Sequence, residues 1–135
     1  MFNCFRHATT ILLALACACS ASAQQAGVPA TRGVTAKPLT ALEFAGDMPN
    51  LAGLAMRMRQ VAIAPGGSID THSHRGRPAV LYIVEGSIVE RRGDAVREYR
   101  AGESYAIGGD TAHAIDNPSP VPATYIEVDI VPARN

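Results

Sequence analysis

The chain has no tryptophan, few aromatic residues and no excess of either charge. Aromatic residues make up 5% of its 135 residues, and 12 Lys and Arg balance 12 Asp and Glu. Balanced charge gives a nucleic acid no electrostatic grip, so we expect no nucleic-acid partner. The length fits one domain and is too short for an eight-fold β/α barrel, which needs about 200 residues or more. The 12 Gly and 9 Pro indicate a folded, turn-rich domain.

Long hydrophobic runs are also missing, apart from a short one near the N-terminus. Residues 1–23 have the three parts of a secretory signal peptide: Arg6 in a positive start, an apolar stretch over residues 11–18, and a cleavage site ending at Ala23. The apolar stretch is shorter than the roughly 20 residues that cross a membrane. We therefore expect cleavage after Ala23, a periplasmic or secreted protein, and no membrane span in the mature chain. An uncleaved membrane anchor is the alternative.

Cysteine is absent from the expected mature chain, because Cys4, Cys17 and Cys19 all precede the cleavage site. This absence excludes disulfides, thiolate nucleophiles and cysteine-bound zinc. A lipoprotein anchored at Cys17 or Cys19 is another alternative, although the residues before each cysteine fit a lipobox poorly. His7 is removed with the same segment. The mature chain then keeps three histidines, which are His72, His74 and His113.

The rest of the chain predicts a small all-β domain. Residues 24–37 are rich in Ala, Gly, Thr and Pro without periodicity, which predicts a flexible N-terminal segment before a domain at 38–135. Short apolar runs separated by turn residues then predict about eight or nine strands and no helix of ordinary length, with a turn at residues 65–67. Such strands pack as a closed or nearly closed antiparallel barrel or sandwich. The predicted strands cover residues 39–44, 54–64, 68–74, 79–85, 87–92, 95–100, 104–107, 112–116 and 123–131.

Two of the histidines are spaced for a shared ligand. His72 and His74 are separated by one residue, and positions i and i+2 of a strand face the same side of a sheet. Both imidazoles can therefore reach one metal ion without distortion of the backbone. This spacing alone is weak evidence, because surface histidines in water show it as well.

A wider pattern makes the histidine spacing more specific. One segment has glycine, five residues, His-x-His and a later glycine, and a second segment has glycine, a glycine-rich turn, histidine, three residues and asparagine. These segments resemble the two motifs of the cupin superfamily. Ala79 stands where that pattern has a metal-binding glutamate, and Gly108 and Asp110 stand at its proline and glycine positions. The matching residues are Gly66, His72, His74, Gly86, Gly102, His113 and Asn117.

The resemblance implies an antiparallel jelly-roll barrel in which His72, His74 and His113 bind a divalent transition metal. Imidazole suits Fe, Mn, Zn, Ni and Cu, so the ligands leave the metal unnamed. The implied function is a metal-dependent oxygenase, isomerase or lyase acting on a small molecule in the barrel. The alternatives are a periplasmic cupin that binds a small molecule or a metal without catalysis, and a structural domain with an empty barrel. Small cupins often pair through barrel strands, so the resemblance also implies a homodimer.

Four further residues are candidates for substrate binding. Arg75 and Arg77 follow the histidine pair and are suited to an anionic substrate, although a solvated loop is an equal explanation. Gln60 lies on the preceding predicted strand, and Tyr105 either lines the pocket or fills the core. No residue stands out as a general base. The mixed charges of residues 90–98 predict an exposed hairpin.

Overall fold

The computed structural model describes residues 30–44, 46 and 48–133. The predicted signal peptide and its alternatives lie outside these residues. No helix in this part of the chain is long and apolar enough to cross a membrane. The described elements are β1 (Thr31–Glu43), a 3-10 helix (Pro49–Leu51), β2 (Leu54–Ser73), β3 (Ala79–Glu85), β4 (Ser87–Arg92), β5 (Ala95–Arg100), β6 (Ser104–Ile107), β7 (Ala112–Asp116) and β8 (Ala123–Pro132).

The strands form one antiparallel sheet that curls into a nearly closed barrel. Its order is β5-β4-β7-β2-β8-β3-β6, and β1 pairs with β2 outside this path. This architecture confirms the predicted all-β fold. The predicted bounds of β3 to β7 agree with the structure at both ends, because Gly and Asp residues separate short runs of strand-forming residues there.

The first strand begins earlier than the sequence indicates. Residues 31–37, predicted to be flexible, belong to β1, which pairs with β2 from Thr31 to Glu43. Almost every residue of β1 is exposed, including Leu39 at 43% and Leu42 at 55%. The strand is therefore held mainly by backbone hydrogen bonds to its neighbour. A local hydrophobic pattern does not report such pairing.

The predicted turn at residues 65–67 is a bend inside β2. The first part of β2 pairs with β8 and the last part with β7. At Gly67 a Cβ atom would lie 2.7 Å from the carbonyl oxygen of Arg32 and 2.8 Å from a methyl group of Ile63. Only glycine fits this close approach, so the strand bends and continues. The bend lets one strand carry both the start of the barrel wall and His72, with His74 directly after its end.

The barrel core has an apolar layer beside a charged one. The inward face of β8 carries Tyr125, Glu127 and Asp129, all buried, while Ile126 and Val128 on the other face are half-buried. Burial of each large apolar side chain stabilises the folded state by about 1.5–3 kcal/mol relative to leaving it exposed. The main members of the apolar layer are Val61, Ile63, Ile69, Leu81, Ile83, Ile88, Ile107, Ile115 and Tyr125.

Candidate metal centre and its cavity

The structure brings the three histidines together. His72 lies near the end of β2, His74 directly follows that strand, and His113 lies on β7 opposite His72. His74 and His113 are buried and His72 is half-buried. One ligand nitrogen from each ring lies within 4.8 Å of the others, so the group could hold a metal ion.

Backbone carbonyl groups fix two of the rings. His72 Nδ1 lies 3.0 Å from the carbonyl oxygen of Asp70, and His74 Nδ1 lies 3.0 Å from that of Arg77. A carbonyl oxygen only accepts hydrogen bonds, so each Nδ1 carries the proton and donates. The lone pair of each neutral ring is therefore on Nε2, the atom that can bind a cation.

A buried carboxylate fixes the third ring. Glu90 Oε1 accepts hydrogen bonds from His113 Nδ1 and from Arg92 Nε, both at 2.7 Å. Burial tends to raise the pKa of Glu90, but the hydrogen bonds from His113 and Arg92 outweigh it, and the pKa lies below its ordinary value. Glu90 is therefore ionised at neutral pH and holds the Nδ1 proton of His113.

Glu90 was not among the predicted site residues, because the mixed charges around it predicted an exposed hairpin. The structure buries Glu90 to 3% exposure, on the same face of β4 as the fully buried Ile88. A signal was present: alternation along a strand places positions 88 and 90 on one side. The rest of β5, apart from the buried Tyr99, is exposed as the charges predict.

Two of the three histidine nitrogens have the separation that a shared metal ion requires. His74 Nε2 and His113 Nε2 lie 3.1 Å apart. Two nitrogens bound to one ion at about 2.1 Å lie roughly 3.0–3.4 Å apart for bond angles between octahedral and tetrahedral. When both rings are neutral with the proton on Nδ1, each Nε2 directs a lone pair into the space between the rings, and a cation bound there would be stabilised by both. The donor set therefore fits a divalent transition metal.

Burial favours the neutral forms of His72 and His74. Burial, followed by the charge of Arg77, lowers the pKa of His74 to about 4. Burial also lowers the pKa of His72. At neutral pH both nitrogens are available as ligands without competition from a proton.

Among the described residues, the missing motif glutamate is not replaced by a free carboxylate. Ala79 is buried on β3 and pairs across the sheet with Asp129, while Leu81 pairs with Glu127. Both carboxylates of β8 thus enter the barrel beside Ala79. Each of them is held by arginines.

These side chains form an arginine–carboxylate cluster of Arg57, Arg59, Arg77, Glu127 and Asp129. Arg57 donates to both oxygens of Asp129 at 3.0 and 2.6 Å, and Arg59 Nη2 donates to both oxygens of Glu127 at 2.9 Å. Arg77 Nη1 bridges Glu127 and Asp129, at 2.8 Å from each. The pKa of Asp129 is lowered because hydrogen bonds from Arg57 and Arg77 outweigh its burial. Neither carboxylate is a free base or a free ligand.

Of the predicted substrate residues, Arg77 lies at the site. Its Nη2 is 3.3 Å from His74 Nε2, and the side chain lines the cavity beside the histidines. Arg75 points into solvent, and its side chain is 84% exposed. Its Nη2 lies 3.5 Å from Oδ1 of Asp110. Gln60 lies on the face of β2 opposite Arg59, because neighbouring strand residues alternate. Neither Arg75 nor Gln60 is among the residues that line this cavity.

Tyr105 packs in the core beside the site. Its ring stacks on Tyr99 at 4.3 Å between centroids and meets the His113 ring edge-on at 6.5 Å. Burial raises its pKa, and its hydroxyl has no hydrogen-bond partner among the described residues. Tyr105 thus supports the His113 ring from behind and is not part of the cavity wall.

The cavity in front of the histidines has a volume of about 280 Å³. The three histidines and the arginines of the cluster line one part of it. The remaining wall is mainly apolar and includes Val34, Val61, Ile69, Ile115 and Tyr125. A small molecule fits this space with one end beside the histidine Nε2 atoms.

The sequence match to a known family covers the strands that build this site. Residues 59–129 match the sequence model described as Cupin domain. The chain belongs to the cupin family. This assignment confirms the resemblance seen in the two motifs. The matched residues include Ala79, the position at which the chain departs from the first motif.

The cupin resembles plant and bacterial proteins over different parts of its length. It is 39% identical over 46 residues to a germin-like protein of Ipomoea nil. The matched segment covers 34% of this chain and 22% of that protein. The chain thus spans about a fifth of the length of this curated relative. A Thermotoga maritima structure described as a predicted oxalate decarboxylase has 22% identity and a TM-score of 0.60, covering 75% of this chain and 84% of that one. A recombinant oxalate oxidase in complex with glycolate has 22% identity and a TM-score of 0.55, covering 73% and 54%.

Proposed function

We propose that this cupin binds one divalent transition metal through His72, His74 and His113 and acts on a small molecule in the barrel. The separation of 3.1 Å between two Nε2 atoms, with both Nδ1 atoms held by acceptors, carries the proposal. The reaction belongs to the metal-dependent oxygenase, isomerase or lyase classes. Structural relatives named for oxalate chemistry, one with glycolate bound, support a small-molecule substrate.

In this function different residues would hold the metal, align its ligands and orient the substrate. A bound metal would supply a Lewis acid with open coordination positions. The acceptors on each Nδ1 keep the rings aligned, and the apolar wall restricts water. Arg77 lies close enough to the ligand nitrogens to orient an anionic group beside them. Substrate deprotonation by a side chain is not provided for, because Glu127 is tied to Arg59 and Arg77.

A second candidate function is binding without catalysis. The same engagement of Glu127 by arginines favours it, because the described cavity wall then offers no carboxylate free to move a proton. In this case the barrel would capture a small molecule or the metal itself outside the cytoplasm.

Metal analysis of the purified protein tests the site. We expect about one divalent ion per chain in the wild type, and at least tenfold weaker binding in His72→Ala and His113→Ala. Glu98→Gln is the matched control, since Glu98 is exposed and pairs with the exposed Arg100 at the surface. Variants that hold as much metal as the wild type would show that the site is wrong. Oxygen uptake with Fe(II) and a panel of thiols, diketones and phenolics then separates catalysis from binding.

We also propose export and self-association. The signal-like features of residues 1–23 support a periplasmic or secreted location, and a mature N-terminus at Gln24 in the exported fraction tests it. A homodimer is supported by exposed apolar side chains on the outer face of β3, including Val80, Tyr82 and Val84. The balanced charge gives no reason to add a nucleic acid to these partners.

A further inference from the structure

The arginine–carboxylate cluster beside the histidines has an excess of positive charge. Its three guanidinium groups meet two carboxylates, all within 3.0 Å of a partner. The side chains of Arg57, Arg59 and Arg77 each keep about a quarter of their surface exposed, at 25%, 26% and 25%. All three line the cavity. One positive charge is therefore unmatched at a partly dry wall, where an anion binds more strongly than in water.

Arg59 is the least satisfied of the three. It donates to Glu127 from Nη2 alone, and its Nε is buried without a hydrogen-bond partner among the described residues. Arg57, in contrast, uses Nε and Nη2 as a fork on Asp129. An unpartnered guanidinium donor is costly in a protein interior, and a small shift of the side chain toward an incoming carboxylate relieves that cost.

The apolar part of the cavity lining disfavours a ligand that is polar throughout. Val34, Val61, Ile69 and Ile115 face the same space as the arginines, and the apolar lining is the larger part. The space of about 280 Å³ exceeds what two linked carboxylates fill. A ligand gains from this wall only if it carries an apolar body, at about 25 cal/mol for each Å² removed from water.

We propose that the ligand of this cavity is a carboxylate with a compact apolar body, such as a ring or a branched chain. Its carboxylate meets Arg59 and Arg77, and its body packs on Ile69 and Ile115. The inference rests on the proposed function in that it names the ligand class of the same site. The arginine charges act with or without a metal, so binding to the metal-free protein tests the inference separately.

Calorimetry with metal-free wild-type protein makes the first test, with benzoate, benzamide and oxalate as probes. We expect benzoate to bind at least tenfold more tightly than either of the others. Equal binding of benzoate and benzamide would overturn the role of charge, and tighter binding of oxalate would overturn the role of the apolar wall. A separate titration of the metal-free protein with Zn²⁺ reports on the metal site alone. Failure of Zn²⁺ to bind counts against the proposed function and leaves the benzoate result to decide the ligand class.

Arg59→Lys makes the second test, because it keeps the charge beside Glu127 and removes the planar donors. We expect this variant to bind benzoate at least fivefold more weakly, with little change for benzamide. Arg100→Lys is the matched control, since Arg100 is 71% exposed and pairs with Glu98 outside the cavity. Unchanged benzoate affinity in folded Arg59→Lys contradicts the assignment of Arg59. Should that variant not fold, the ranking of the three probes on wild-type protein still decides the ligand class.

Discussion

At the scale of single residues, Glu90 is the group that most directly positions a candidate metal ligand. Its carboxylate holds the Nδ1 proton of His113 at 2.7 Å in a buried setting. Replacing it by glutamine keeps the size of the side chain but removes the negative charge that makes His113 Nε2 a stronger metal ligand. The substitution also weakens the contact to Arg92. We expect Glu90→Gln to lower metal affinity by about 10-fold to 100-fold.

Competition with a chromophoric chelator measures this affinity for Glu90→Gln, with Glu98→Gln as the control. A purely structural role for Glu90 would lower the midpoint of urea unfolding without changing the metal affinity of the folded fraction. That outcome would remove Glu90 from the metal centre. The control variant is expected to match the wild type in both measurements, because Glu98 pairs with exposed Arg100.

The buried rings also make stability depend on pH. The pKa of His74 is about 4 in the folded protein and near 6.5 without burial. Between these two pH values His74 binds a proton in the unfolded chain but not in the folded protein. The free energy of unfolding therefore falls as the pH falls. We expect metal-free protein to lose about 1–3 kcal/mol between pH 7 and pH 4.5.

Urea unfolding of the metal-free protein at several pH values measures this loss. The pKa values of Glu90 and Asp129 are lowered in the folded protein, so these carboxylates also lose stabilising charge as the pH falls, but mainly below the window. His74→Asn removes the titrating ring, and we expect a flatter dependence in that variant. A wild-type free energy of unfolding that stays level from pH 7 to pH 4.5 would contradict the burial argument.

At the scale of elements, the sequence predicted strands well and the buried faces less well. The bounds of β3 to β7 agree because glycine and aspartate mark their turns. The alternation of β8 was visible, but its buried face is the one with Glu127 and Asp129. Hydrophobicity favours the opposite face, and the choice is made by Arg57, Arg59 and Arg77 on other elements. Such long-range pairing has no signature within one strand.

The metal ligands of the candidate centre were predictable from the sequence, but the residues that position them were not. The spacing of His72, His74 and His113 matched a family pattern, and the structure brings the three rings together. Glu90 and the role of Arg59 were not found, because they depend on which strands become neighbours. The register between β4 and β7 brings Glu90 beside Ile115 and within reach of His113.

Gly86 links β3 to β4 and offers a test of how tightly these elements meet. Its φ is +70°, and a Cβ atom there would collide with the carbonyl oxygen of Pro122. Gly102 also has a positive φ, of +91°, but apart from its own chain neighbours no atom of the described residues lies within 4 Å of the place that a Cβ would take there. We expect Gly86→Ala to cost about 2–4 kcal/mol, and Gly102→Ala about 1–2 kcal/mol.

Urea unfolding of the two metal-free variants compares these costs directly. Strain from positive φ is common to both positions, so the difference between them reports the contact with Pro122. Equal losses in the two variants would show that the backbone at Pro122 yields without cost. The structure predicts otherwise, because the residue after Pro122 is the buried Ala123, which begins β8.

At the scale of the whole molecule, the barrel leaves an apolar surface on its outside. Neighbouring strands β2, β8 and β3 place large apolar side chains on their outer faces. Monomeric soluble proteins rarely expose contiguous apolar patches larger than a few hundred Å². The exposed members are Met56 at 38%, Met58 at 37%, Val80 at 53%, Tyr82 at 50% and Val84 at 50%.

We expect this face to pair with a second copy, because a two-fold axis brings the same apolar surface against itself. Light scattering on the mature protein should give about twice the mass of one chain. Tyr82→Glu places a charge on the β3 part of the face and should shift the mass to that of a monomer. Val96→Glu is the control, since Val96 is 64% exposed on β5 at the far edge of the sheet. A wild-type monomer, or dissociation by the control variant as readily as by Tyr82→Glu, would show that the outer face of β2, β8 and β3 does not form the interface.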